Sequence, residues 1–341
     1  MNQRRPVLVE VRRGAIVESV HRGVIVAIDP EMRVRERLGD ENIMTSTRSA
    51  IKPFQALPVI TSDAADHFGF TPREIAVTCA SHEGEPIHTE TVAAMLSRIG
   101  LDERALRCGA HAPYSEPTAR QLEREGAAFS QLHNNCSGKH AGMLATAVHM
   151  KLPIEDYVRP DHPVQLKIVS TFARLAGLAE SLPTAIDGCS APTFGVPLVS
   201  IASAFARLVS GEDEETATAS RRIIEAMIAH PEMIGGTRGR FDTDLLRAAR
   251  GRLVCKVGAE AVYGVGVLAC ERFPRGLGLA FKMEDGSYRG LGPVVVETLA
   301  RLGVLGDDQV SELESYHRPV LTNRRNVAVG EVRTVFDLEI D

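Results

Sequence analysis

The chain opens on short apolar runs. Val7-Leu8-Val9-Glu10-Val11 and Val24-Ile25-Val26-Ala27-Ile28 are rich in β-branched residues and set apart by Gly14 and Gly23, which predicts antiparallel strands. From Ser49 to about Ser210 the apolar positions recur with the period of amphipathic helices. Thr71-Pro72-Arg73-Glu74 is a capping box with proline at the first helical position. Helices are predicted over 89–98, 141–150, 164–178, 198–208 and 219–229, with stops at Gly100 and Gly177 and a boundary at Pro231. Strand texture returns over 252–257, 263–270 and 277–283, the last two as meander neighbours, with Glu284-Asp285-Gly286-Ser287 as a turn after them. A helix over 293–302 and a strand over 326–336 complete the pattern.

Strands at both ends around a helical block imply an α/β fold. Its antiparallel sheet is formed by N- and C-terminal strands and flanked by helices, with an inserted helical lobe. On this reading residues 1–341 form one unit, with the sheet in 1–48 plus 250–341 and a mainly helical part in 49–249. The acidic segment Gly211-Glu212-Asp213-Glu214-Glu215 reads as a solvated turn.

Composition narrows the function classes. The 341 residues are 44% hydrophobic and 24% charged, as in ordinary soluble globular proteins, and the chain is long enough to bury a substantial core. A net charge of −5 without a long basic run argues against a nucleic-acid partner and for a small-molecule one. No apolar run has membrane-spanning length, and Met1-Asn2-Gln3-Arg4-Arg5-Pro6 does not lead into a secretory signal. Six scattered cysteines then suggest reduced thiols in a cytoplasmic setting.

The candidate chemistry starts with Ser49 and Lys52. On a helix such i,i+3 neighbours have Cβ atoms about 5–6 Å apart, so the amine can activate the hydroxyl as a nucleophile. Lysine serves as a base only when neutral, which requires lowering its pKa from about 10.4 toward 7–8. A second cation helps, and Lys256-Val257-Gly258 at a strand end supplies one. Pro53 is comfortable only in a first helical turn, so Ser49 is expected at the helix mouth, where backbone N–H groups can face an oxyanion. Ser81 stands in Cys79-Ala80-Ser81-His82-Glu83-Gly84, a segment that also reads as a helix stop with a polar loop. His82 and Glu83 are acid–base candidates there.

Two cysteine loops follow. Cys136 in Asn134-Asn135-Cys136-Ser137-Gly138-Lys139-His140 is expected at a helix N-terminus, where thiolate is favoured. Cys189 lies in Asp187-Gly188-Cys189-Ser190-Ala191-Pro192, read as preceding another helix. Their spacing is not a standard zinc pattern, and His140 competes with Lys139 as a ligand.

Taken together with Arg48-Ser49-Ala50-Ile51-Lys52-Pro53 and Lys256-Val257-Gly258-Ala259-Glu260, these segments resemble the Rhizobium-type L-asparaginase family, also called asparaginase II. The resemblance implies a serine β-lactamase-like fold shared with glutaminases. It also implies hydrolysis of L-asparagine to L-aspartate and ammonia through two serine–lysine pairs, Ser49 with Lys52 and Ser81 with Lys256. Lys282 is the weaker candidate for the second pair. It further implies zinc held by Cys136, Lys139 and Cys189 that positions substrate, substrate contacts from Arg48, His133, Asn135 and Asp187, and a homodimer. Where the family reads Glu-Gly, this chain has Glu260-Ala261. Two alternatives are a β-lactamase- or peptidase-like serine hydrolase and a zinc- or redox-sensing protein using Cys79, Cys136 and Cys189.

Overall fold

A computed structural model describes residues 5–338, so Met1–Arg4 of the opening segment lie outside the described residues. The strands are β1 (Val7–Arg13), β2 (Ile16–Ile28), β3 (Val34–Leu38), β4 (Met44–Ser46), β5 (Thr184–Ile186) and β6 (Pro192–Pro197). They continue with β7 (Leu253–Gly258), β8 (Val262–Val267), β9 (Leu277–Met283), β10 (Val320–Thr322) and β11 (Ala328–Thr334). Among the described residues the large sheet has eight strands in the order β10-β11-β1-β2-β9-β8-β7, with β3 also on β2. Every pairing is antiparallel, and Val9 opposite Thr334 joins the two ends of the chain. The sheet expected from the terminal strands is therefore present.

Gly23 does not end a strand as the sequence suggests. It lies within β2, where a Cβ would fall 2.5 Å from the Lys282 carbonyl oxygen. The residue is needed for close approach, not for a break.

The helix Leu198–Ser210 packs on β2, β8 and β9. It comes close because β8 and β9 present glycine: a Cβ on Gly278 would sit 1.9 Å from the Ala202 carbonyl oxygen. The helix Lys52–Thr61 is buried on nearly every side, as its almost unbroken apolar sequence requires. The helices Ser137–His149, Pro163–Ala176 and Ala217–Ala229 surround it. Pro72–Thr78 begins on the expected box, with Thr71 accepting from the Glu74 N–H and Glu74 returning the bond.

The middle of the chain is not wholly helical. β4, β5 and β6 form a second sheet of three strands, in the order β4-β6-β5. Cys189 therefore sits in the connection of a β5–β6 hairpin, and the helix expected directly after its loop starts only at Leu198. Strands this short, carrying Pro192 and Pro197, lack the alternation that reveals longer ones. Glu260 and Ala261 adopt φ of 61° and 50°. In this left-handed region glycine carries no Cβ cost, so the alanine of this chain is the strained choice. Among the described residues no helix is long and apolar enough to cross a membrane.

Candidate active site

A cleft of about 800 Å³ opens between the large sheet and the helical part, lined among others by Arg48, Ser49, Ser81, Asn135, Asp187, Cys189, Arg240, Asp242 and Gly258. Ser49 lies in a 3₁₀ turn, Arg48–Ile51, that leads into the helix starting at Lys52, with Pro53 in its first turn. The turn packs against the end of β7, where a Cβ on Gly258 would be 3.0 Å from the Ala50 nitrogen. Glycine at 258 thus lets strand and serine turn touch.

Lys52 is fully buried, and its Nζ donates to Ser81 Oγ at 2.9 Å and to the Ala80 carbonyl at 2.5 Å. The first lysine holds Ser81, not the serine three residues before it. Ser81 is fixed by its N–H on the Ile234 carbonyl and by Arg240, which bridges the Ser81 carbonyl and Glu83. Ser49 is half-buried, and its hydroxyl has no hydrogen-bond partner among the described residues.

Lys256, also fully buried, donates to Asp242 Oδ2 at 3.2 Å and to the Val257 carbonyl at 2.9 Å. Its expected partner Ser81 is taken by Lys52. Burial lowers Lys256 to about 8 against the pull of Asp242, with added repulsion from Lys52 and Arg240. Lys282, the weaker candidate, lies on β9, donates to the Glu260 and Met283 carbonyls and does not line the cleft.

Arg48 Nε donates to Asp187 Oδ1 at 2.9 Å, placing a cation and an anion side by side at Ser49's end of the cleft. Asn135 lines the same space, its N–H donating to His111 Nε2 at 3.1 Å. His133 does not line it; its ring accepts from the Ser130 N–H and caps a turn. His82 is buried, bonded to Ser137 Oγ and stacked on His88, and burial pushes it well below the ordinary histidine range. Glu83 is engaged by Arg240.

Cys136 caps the Ser137–His149 helix as expected, but Cys189 is the thiol whose proton is held less tightly. A hydrogen bond from Cys136 and the Lys139 ammonium, 3.1 Å from Cys189 Sγ, drive Cys189 far down, while the same contact and burial drive Cys136 up. Burial opposes the charge on Lys139, yet the Cys189 and Cys136 sulfurs outweigh it and raise the amine. His140 Nδ1 is bonded to Tyr157, and its ring also faces the Cys189 sulfur. Two thiols suit zinc, and the lysine amine would join them only on losing the proton that the neighbouring sulfurs hold on it. Among the described residues no three His, Cys, Asp or Glu side chains converge on one point, so a third donor beside the two cysteines would be Lys139.

Arg240, Asp242 and His111 were not singled out from sequence. Gly235-Gly236-Thr237-Arg238-Gly239-Arg240 is a glycine–arginine loop before a helix with Asp242 and Asp244 in its first turn. That run was the signal for a functional loop. His111 lies in an irregular stretch whose sequence gives none.

The chain is similar in structure to a probable glutaminase from Bacillus subtilis complexed with 6-diazo-5-oxo-L-norleucine, with 12% identity, 83% of this chain and 85% of that chain covered, and a TM-score of 0.41. It is also similar to a Bacillus subtilis glutaminase in covalent complex with 5-oxo-L-norleucine, with 13% identity, 84% and 89% covered, and a TM-score of 0.40. A third similar structure is Mglu in its native form, with 15% identity, 84% and 66% covered, and a TM-score of 0.42. No curated protein matches the chain. The family model for L-asparaginase II matches residues 9–334, nearly the whole length, and the chain belongs to this family of amidohydrolases.

Proposed function

We propose that the protein is an L-asparaginase, releasing ammonia from the side-chain amide of L-asparagine. The observation that carries this reading is the Arg48–Asp187 pair beside Ser49. A free α-amino acid needs an anion for its ammonium and a cation for its carboxylate at neighbouring points, and the pair offers both. A β-lactam ring calls for the carboxylate contact alone.

In the proposed reaction Ser49 Oγ attacks the amide carbon. Its proton passes to Ser81 Oγ as Ser81 gives its own to Lys52 Nζ, along the 2.9 Å bond between them. Backbone N–H groups at the mouth of the helix stabilise the oxyanion. Collapse breaks the carbon–nitrogen bond, and the protonated Lys52 supplies the proton with which ammonia leaves. Water then attacks the ester on Ser49, its proton returns through the same groups, and aspartate departs. Asn135, which lines the cleft, would border the substrate.

Cys136, Lys139 and Cys189 would hold zinc, which when bound would fix the substrate's place and leave the water unactivated. Cys189→Ala is expected to reduce the zinc of purified protein to background, and undiminished metal content would exclude this ligand set. The functional reading is tested by ammonia release from L-asparagine and L-glutamine with wild type and Arg48→Met. We expect wild-type turnover of asparagine and a rise in KM of about 100-fold for Arg48→Met, the loss of one charge-assisted contact of about 2–3 kcal/mol. Turnover of a chromogenic β-lactam with no ammonia from asparagine would overturn it.

A further inference from the structure

Arg48 carries the chain from β4 into the Ser49 turn, and its backbone is strained. Its φ is 44°, in the left-handed region that an L side chain occupies only where its surroundings hold it. Glycine would relax that backbone but bring no guanidinium to Asp187. The tether is on β6. The Arg48 N–H donates to Thr193 Oγ1 at 3.0 Å, and Thr193 is buried, 5% exposed. The same oxygen lies 3.3 Å from Thr47 Oγ1 and 3.2 Å from Ser46 Oγ. Beside it, the Thr47 N–H donates to the Phe194 carbonyl at 2.8 Å and the Phe194 N–H donates to Thr47 Oγ1 at 3.2 Å. The β4–β6 ladder is thus carried past its last pair, Ser46 opposite Gly195, and ends on the bond from Arg48 to Thr193.

On its other side β6 holds Asp187. Ile186 pairs with Pro192, and the Asp187 N–H donates to the Ala191 carbonyl at 2.9 Å. One strand therefore sets both halves of the Arg48–Asp187 pair. We infer that Thr193 is a positioning residue: its hydroxyl locks Arg48 in the left-handed conformation, which aims the guanidinium at Asp187 and fixes the serine turn on the β5–β6 hairpin. Ser49 depends on such a lock, because its hydroxyl has no hydrogen-bond partner among the described residues and its place comes from the backbone of the turn. Arg48, which meets the substrate in the proposed reaction, is thereby held at its N–H by Thr193 and at its Nε by Asp187.

The kinetic arm of the test rests on the L-asparaginase reading. Thr193→Val keeps the side-chain volume and removes the acceptor, and it is expected to raise KM for L-asparagine about tenfold, the effect of one lost hydrogen bond. Thr193→Ser keeps the hydroxyl and should stay within about threefold of wild type. In an Arg48→Met background the rise from Thr193→Val must vanish, because no guanidinium is left to aim. A rise that persists there, or an unmoved KM in a folded Thr193→Val, overturns the inference. The second arm needs no activity: exchange of the Arg48 N–H, followed by NMR, is expected to be slow in wild type and at least about tenfold faster in Thr193→Val, while the Thr47 N–H on the Phe194 carbonyl keeps its rate. Should Thr193→Val fail to fold, wild type decides alone, since an Arg48 N–H that exchanges like an exposed amide overturns the inference. If wild type releases no ammonia from asparagine, the functional reading fails and the exchange rates still decide the role of Thr193.

Discussion

Ser49→Ala is expected to lower ammonia release from L-asparagine by about 1,000-fold or more while leaving the fold intact, since loss of a nucleophile removes the covalent route itself. The two effects separate because the Ser49 hydroxyl has no hydrogen-bond partner among the described residues. Removing it breaks no structural contact, and the change in unfolding free energy should stay within about 0.5 kcal/mol. Ser81→Ala is the informative contrast. It strips the buried Lys52 amine of one acceptor, so it should cost about 1–3 kcal/mol of stability as well as activity. Ammonia release and denaturant unfolding on both variants give the answer. Near-normal turnover in Ser49→Ala, with none in Ser81→Ala, would move the covalent bond to Ser81.

Lys52→Met should lower kcat by about 100- to 10,000-fold, the range for removing a positioned acid–base group. Methionine keeps much of the length and apolar stem of lysine but takes no proton. Because Lys52 is fully buried, the change also takes the donor from the Ala80 carbonyl and Ser81 Oγ. Stability should therefore fall by about 1–3 kcal/mol, while turnover collapses. A kcat within about fivefold of wild type would remove Lys52 from the proton path.

The strands at both ends, the capping box at Thr71 and the meander of β8 and β9 were all legible, because each depends on local periodicity or turn chemistry. The three-stranded sheet was not, since β4 and β5 are held by a partner distant in sequence rather than by their own pattern. At the site, Ser49, Lys52, Ser81 and Lys256 could be named from motifs. Which lysine faces which serine could not. That choice is made by a side chain crossing from one helix to a loop 29 residues away, and by Asp242 reaching Lys256 from a segment with no strong motif. The thiolate was likewise placed on Cys136 by the helix-end rule, whereas Lys139, reaching across to the β5–β6 hairpin, favours Cys189.

The pairing of β1 with β11 has a bearing on synthesis. Strand β1 can join β2 as soon as both leave the ribosome, but its other edge waits for residues 328–334. Until β11 emerges the nascent chain therefore carries an open strand edge, the kind of surface that recruits other chains.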